Sequence, residues 1–452
     1  MKKTGFRLKD IGYSLTIRIS KLLLIGLFPF YLMAEEQIDE DAMFSDTETV
    51  IRSDNIVNNP DKKMEPDANS LGISGEIASV NFLALTRDYV QDGNNDENET
   101  ESLIVGSLFL DGRYKNYYKL FLNWEMYNSW KDNNFESNLK EWFIDTPIEN
   151  KVYLRWGKQV LQWGRCYLWN PTDLINVDKM TFIKRIGYRD GVYGLKLHVP
   201  EGTKYNFYGF LNTGKEMDKD EMSGALKTEF LMDTTEMAFS CWTKKGYSPV
   251  YGYDISSRIF KIDIAGEISV TNGDYKDSLI EENGVLYKDK INDEWITRAS
   301  LNLGKGFDWN DQNEKINLTG EFFYNESGYD DNIFEDTKVY SYSEPVLNGV
   351  SSGDKKTFLL FNDLYEMNYY GKYYLAIFAA INDFFTSDYT LTLNWIENLN
   401  DNSSIASTGI TYENINDWSA DCIIYTFSGS ENSEYTFLNE SISVRLTLGY
   451  KF

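Results

Sequence analysis

The sequence runs to 452 residues and sets 44 Lys and Arg against 70 Asp and Glu, a net charge of −26. That balance excludes a nucleic-acid binder, whose affinity comes from cationic contacts to phosphates. No run of about 18 apolar residues follows the N-terminal segment, which excludes a helical membrane protein, and three Cys beside a single His exclude a disulfide scaffold.

Residues 1–34 read as a secretory signal peptide. Lys2, Lys3, Arg7, Lys9, Arg18 and Lys21 give a basic start, and Leu22 to Ala34 is an uncharged, mostly apolar run of 13 residues. A helix needs about 20 residues to cross a bilayer, so the length disfavours the alternative of an uncleaved anchor. Ala34 supplies a small residue at the cleavage point, with Leu32 a poor fit two places before it. No Cys follows directly, which argues against a lipoprotein. Losing six basic residues and Asp10 takes the charge from −26 to −31. Residues 35–70 are acidic and lack a strand pattern, and they read as a periplasmic extension, disordered or loosely docked.

Residues 71–452 carry alternation throughout. Tyr118, Leu120, Leu122, Trp124 and Met126 oppose Lys119, Phe121, Asn123 and Glu125. Phe260, Ile262, Ile264, Gly266, Ile268 and Val270 oppose Lys261, Asp263, Ala265, Glu267 and Ser269. Period 2 is a strand with one apolar side. Strands are expected near 72–86, 102–111, 117–127, 138–146, 151–161, 190–199, 204–213, 224–232 and 235–243. They continue near 249–257, 259–271, 294–304, 315–324, 369–381, 388–397, 404–413, 416–427 and 440–452. Membrane strands need about 9–11 residues, longer than the usual strand of a soluble sandwich. The prolines Pro60, Pro66, Pro147, Pro171, Pro200, Pro249 and Pro345 all fall in expected turns, loops or strand starts. The fold expected is all-β: a closed antiparallel transmembrane barrel of about 18 strands, within 16–20. A soluble propeller or sandwich is the alternative, and no repeat period supports the former.

The final strand sets the topology. Ile442, Val444, Leu446, Leu448, Tyr450 and Phe452 share one face. Placing Phe452 in the periplasm makes the short connections at 147–150, 200–203, 233–234, 258 and 414–415 periplasmic. The long ones at 87–101, 162–189, 272–293 and 325–368 are then external, as barrels require. A further strand at Lys356–Glu366 would break this agreement, so 325–368 reads as one long loop, with a short helix at Phe358–Met367. Leu448, Tyr450 and Phe452 form a candidate signal for the barrel-assembly machinery.

The most distinctive motif is Gly157-Lys158-Gln159-Val160-Leu161-Gln162-Trp163-Gly164, followed by Trp169-Asn170-Pro171-Thr172-Asp173. Val152, Leu154, Trp156 and Val160 face lipid by alternation, and a bulge at Gly157 would spare Lys158 that position. Asn before Pro, then Thr-Asp, is turn chemistry. The loop either folds back on its own aromatics or enters the lumen and narrows it. Trp163, Trp169, Asn170 and Asp173 are its candidate constriction residues. Together with the Arg189-Asp190-Gly191 entry to the next strand and the acidic Asp41–Asp46 stretch, this motif resembles a family of largely uncharacterised bacterial outer-membrane, porin-like proteins. The layout is also similar to 18-stranded alginate-export-type barrels, without a residue-level match to a substrate site. The resemblance implies one barrel with a channel role.

The candidate pore-lining residues are Lys119, Glu125, Arg155, Lys261, Asp263, Glu267, Arg298, Glu321 and Arg445. Arg or Lys facing lipid would cost about 2–4 kcal/mol each near the midplane, so their shared face points inward. Glu141, Asp145, Lys196, Glu236 and Asp421 fall on it too. Eighteen strands are too many to fill with side chains alone, although mixed charges also fill closed barrels as salt-bridge networks. Asp92-x-Asn94-x-Asp96 copies the start of a calcium loop, but Glu97 and Leu103 stand where Gly and Glu should be, so a solvated loop is expected and no metal or cofactor. His198 has no recognisable partner motif for catalysis, and Cys241 reads as lipid-facing.

The reading is an outer-membrane porin-like channel passing small hydrophilic solutes, and not an enzyme. Its partners are outer-membrane lipid, the assembly machinery and the solutes, with monomer or homo-oligomer left open. Acidic external loops imply a weak cation preference. The alternative is a plugged barrel acting as a surface adhesin or receptor.

Overall fold

The computed structural model describes residues 69–452 apart from 87–98, 116, 131–133, 150, 162, 176–190, 203, 215–221, 275, 283–284, 310–311, 331–338, 342–363, 414–416, 431–432 and 437–439. The signal peptide, nearly all of the acidic extension and the calcium-like start at Asp92 lie outside the described residues. So does most of the segment expected as a helix at Phe358–Met367. Its described part, Leu364–Met367, has no helical structure.

Eighteen strands form one antiparallel sheet. The first nine are β1 (Ser70–Thr86), β2 (Glu99–Tyr114), β3 (Tyr118–Ser129), β4 (Asn134–Ile148), β5 (Val152–Gln159), β6 (Val192–Glu201), β7 (Tyr205–Asn212), β8 (Ser223–Met232) and β9 (Thr235–Lys244). The rest are β10 (Val250–Ile259), β11 (Ile262–Asn272), β14 (Trp295–Trp309), β15 (Gln312–Asn325), β17 (Tyr373–Ile381), β18 (Tyr389–Asn398), β19 (Ser403–Glu413), β20 (Trp418–Ser428) and β21 (Glu440–Lys451). Each pairs with its neighbour along the chain, and β1 pairs with β21 from Glu76↔Lys451 to Thr86↔Glu440, which closes the sheet on itself. Closure leaves no edge of unpaired peptide groups. At the seam the Gly75 and Phe452 backbones exchange hydrogen bonds of 2.8 and 2.9 Å. A Cβ on Gly75 would lie 2.5 Å from the Phe452 ring, so only glycine admits the terminal aromatic here.

Alternation sorts the two faces as the sequence implies. In β21, Ile442, Leu446, Leu448 and Tyr450 are exposed on the outside, while Ser443, Arg445 and Thr447 are buried inside. Outward aromatics gather near the strand ends, among them Trp130, Tyr251 and Trp295 at one end and Tyr205, Trp309, Trp418 and Phe452 at the other. That distribution is an aromatic girdle around an apolar band. Cys241 lies in the outward phase of β9, and all three cysteines are free.

Four expectations are corrected. The connection between β10 and β11 is not at 258 but a two-residue turn at Phe260-Lys261, with φ of 52° and 62°. Lys261 therefore sits on a turn at the rim and not in the wall. No bulge occurs at Gly157: the β4–β5 ladder runs unbroken from Trp142↔Lys158 to Ile148↔Val152. The irregularity is in β4, where the register slips opposite Asn123 and Trp124. Lys158 stays in the outward phase, and its amine bends back to the Leu139 carbonyl at 2.8 Å. The loop after β11 contains a hairpin, β12 (Asp277–Glu282) and β13 (Val285–Lys290), to which β16 (Val339–Ser341) adds in parallel. Finally, Pro147 and Pro200 lie inside strand ends, one residue from the terminus.

Candidate functional site

The described part of the loop that leaves β5, residues 160–175 apart from 162, enters the barrel. It turns inward and runs along the inner wall. Its start is tied down by Glu141, which accepts the Val160 N–H at 2.9 Å, and by Gln159, whose amide donates to the Gly194 carbonyl at 3.2 Å. Leu161, Trp163, Leu174 and Ile175 then pack against Phe210, Ala225, Trp242 and Val250 of β7 to β10.

Residues 165–169 and Thr172 present their backbone N–H groups to two lumen carboxylates. Glu267 on β11 accepts from Arg165 N at 2.5 Å, Cys166 N at 2.7 Å and Thr172 N at 3.2 Å. The Thr172 hydroxyl and the Asn170 amide complete its shell at 2.7 and 3.1 Å. Glu321 on β15 accepts from Tyr167 N, Leu168 N and Trp169 N at 2.9, 3.0 and 2.6 Å. Ser300 and Asn302 of β14 donate to it as well, at 3.1 and 3.0 Å. Successive N–H groups turned to one side form a natural cradle for an anion, and here the barrel supplies the anions. Gly164 lets this happen, since a Cβ there would lie 2.6 Å from a Glu267 oxygen.

Arg165 is the third anchor. Its guanidinium pairs with Asp254 of β10, Glu236 of β9 at 2.5 Å and Glu229 of β8 at 3.1 Å. Lys227 joins the same cluster, 3.2 Å from Asp254, and donates to the Trp163 carbonyl at 2.6 Å. Buried charges persist only when paired in this way.

The four constriction candidates are all buried. Asp173 accepts the Trp163 N–H at 3.2 Å, and Asn170 donates to the Cys166 carbonyl at 2.5 Å, so the Trp-Asn-Pro-Thr-Asp motif closes the loop on itself. Trp169 stacks on Phe323 with centroids 5.4 Å apart and 6° between planes, and its indole N–H donates to the Asn368 carbonyl at 2.8 Å. It belongs to an apolar cluster inside the barrel with Val80, Phe82, Tyr374, Ile396, Ile405, Ile423 and Tyr435. The loop's aromatics pack on rings of the barrel wall, Trp169 on Phe323 and Tyr374 and Tyr167 on Phe378.

The remaining pore candidates divide into two groups. Glu267, Glu321, Arg298 and Arg445 are sealed. Arg298 pairs with Asp274 at 2.6 Å and Arg445 with Asp421 at 3.0 Å. On β2 to β5 the acids keep contact with water while their cations are only 10–12% exposed. Lys119 faces Asp111 at 3.5 Å, Lys140 faces Glu125 at 2.7 Å, and Arg155 faces Asp145 at 2.7 Å, with the acids 30, 21 and 27% exposed. Arg155 also lies 3.8 Å above the Phe143 ring. Asp263 pairs with Arg258 at 3.1 Å near the short-turn end. His198 stacks on Tyr208 with centroids 4.5 Å apart, and its Nε2 lies 3.0 Å from the Asn206 side-chain oxygen, a packing arrangement. Arg165, Lys227 and Asp254 were missed in the sequence. Arg165 lies in a loop without periodicity, and nothing local announces its three partners.

Solved structures share the closed barrel fold. The OccK9 (OpdG) barrel of Pseudomonas aeruginosa aligns with a TM-score of 0.50 at 10% identity, over 85% of this chain and 98% of that one. OccK2 (OpdF) of the same organism, solved in complex with glucuronate, gives 0.49 at 11% identity over 84% and 98%. The outer membrane protein OprD, also from Pseudomonas aeruginosa, gives 0.46 at 10% identity over 84% and 93%. No protein-family model and no curated protein matches the chain.

Proposed function

We propose that this protein is a channel of a bacterial outer membrane that passes small hydrophilic solutes, and that the solute path runs along the inner face of β2 to β5. One observation carries the reading. That face presents ion pairs whose acids, Asp111, Asp145 and Glu125, keep contact with water beside the more covered Lys119, Arg155 and Lys140. Buried side chains occupy much of the lumen face from β8 through β15. Charged pairs left in contact with water inside a barrel are what a polar solute can exchange its hydration for. The apolar outer band and aromatic rims support residence in lipid. Planar-bilayer recording is the test: discrete conductance steps are expected. Their absence from a protein with heat-modifiable migration would favour the plugged adhesin or receptor.

The same reading takes residues 1–34 as a signal peptide and 35–70 as a periplasmic extension. The Gly157–Asp173 motif is its family mark, beside the broader likeness to alginate-export-type barrels. Leu448, Tyr450 and Phe452 address the assembly machinery, and the barrel works as a monomer or homo-oligomer. No reaction or cofactor is part of it. Deleting Phe452 removes both hydrogen bonds at the Gly75 seam. Surface levels of the barrel are expected to fall severalfold by immunoblot of outer-membrane fractions, and Gly75→Val should do the same.

A further inference from the structure

A second knot of buried polar groups lies inside the long-loop end, away from the Glu267 and Glu321 cradles. Three connections meet there: the loop after β5, the segment before β17 and the loop between β20 and β21. Asn368 joins them. Its carbonyl accepts the Trp169 indole N–H at 2.8 Å, its N–H donates to Glu434 at 2.7 Å, and its side-chain oxygen accepts the Tyr435 hydroxyl at 2.5 Å.

Glu434 lies in a short 3-10 turn, Glu434–Thr436, and is 1% exposed. Its carboxyl also receives the Tyr374 hydroxyl of β17 at 3.0 Å and the Asn398 amide of β18 at 2.8 Å. The charged group facing it is another acid, Asp401 of the β18–β19 connection, which accepts the Glu434 N–H at 2.8 Å and the Tyr370 hydroxyl at 3.0 Å. The other titratable groups around it are the phenols of Tyr365, Tyr370, Tyr374 and Tyr435.

We propose that Glu434 is a positioning residue for the constriction loop, and that gaining or losing a proton there tightens or loosens the hold of Asn368 on Trp169. The proposal rests on the channel reading for its effect on flow, but the seat itself does not depend on that reading. Burial, then the neighbouring Asp401, push the Glu434 carboxyl up to about 8. A carboxyl raised in the seated state favours seating when protonated. The advantage is complete below the ordinary value near 4.5 and is lost as pH rises through about 8. Alkaline conditions should therefore release the loop, and acidic conditions should hold it.

The experiment compares full-length wild type with Glu434→Gln, an uncharged side chain of the same shape. The first readout is amide exchange at Asn368, taken relative to a wall peptide of β21 to cancel the intrinsic pH effect. In wild type this ratio should rise by roughly a hundredfold between pH 6 and 9, and in Glu434→Gln it should stay flat. The second readout is open-channel current in planar bilayers, which should rise over the same range in wild type alone. Asp401→Asn keeps the test sharp if Glu434→Gln folds poorly, because removing the facing charge should move the midpoint to lower pH. An identical pH response in wild type and Glu434→Gln, or a midpoint unmoved by Asp401→Asn, overturns the proposal. An exchange response confined to wild type, with no current at any pH, leaves the seat standing and removes the channel reading.

Discussion

Two stretches of inner wall carry the same residue types and end in opposite states. On β11 and β15, Glu267 and Glu321 are sealed beneath a loop that offers each of them three backbone N–H groups. On β2 to β5, Asp111, Glu125 and Asp145 meet side-chain cations and keep contact with water. The difference teaches that a lumen charge does not by itself line a passage. What decides is whether chain or water completes its shell. A carboxylate satisfied by buried peptide groups is an anchor, and removing it leaves several donors unmet. A carboxylate paired across neighbouring strands at the water's edge contributes about 1 kcal/mol or less to stability and remains available to a solute.

The comparison breaks most severely at Arg165. Replacing it by Ala leaves Glu229, Glu236 and Asp254 facing one another with Lys227 as the remaining cation in the cluster. The expected cost is about 3–5 kcal/mol, read as a lower unfolding midpoint in urea with the barrel in detergent. Glu321→Ala should come next. It strands the N–H groups of Tyr167, Leu168 and Trp169 at about 1–3 kcal/mol each if they stay dry. The loop is expected to lift instead, so unitary conductance should rise while the barrel survives. Arg155→Gln is the mild case on the open wall. Stability should fall by less than at Arg165, since Asp145 keeps water to replace the lost pair. The reversal potential in a salt gradient should shift toward cations, because Asp145 is then uncompensated. A sealed-wall cost for Arg155, or unchanged selectivity, would erase the distinction.

Much of this architecture was legible. Alternation in β11, β15 and β21 placed Glu267, Glu321 and Arg445 on the inside, and the long loops fell together at one end. The turn at Phe260-Lys261 was not legible. Two-residue hairpins usually announce themselves with Asn or Gly, which tolerate positive φ, and here a large aromatic and a lysine take those dihedrals. Lys261 was misplaced for that reason. The β12–β13 hairpin was hidden because six-residue strands in an acidic loop show too little alternation to register. The partners of Glu267 and Glu321 were invisible in principle: backbone N–H groups carry no residue type, so no sequence letter marks an anion cradle.

The three thiols fall into compartments that a chemist can address separately. Cys241 and Cys422 are on the outward side, where lipid would shield them from a charged, water-borne alkylating reagent. Cys166 is sealed in the loop between Glu267 and Glu321, and burial first, then those two carboxylates, hold its thiol far above the ordinary range. A thiol that cannot ionise is a poor nucleophile. The seated loop thus carries its own silent tag: Cys166 becomes reactive to an aqueous probe when the loop lifts off its cradle, and the rate of that labelling counts how often it does.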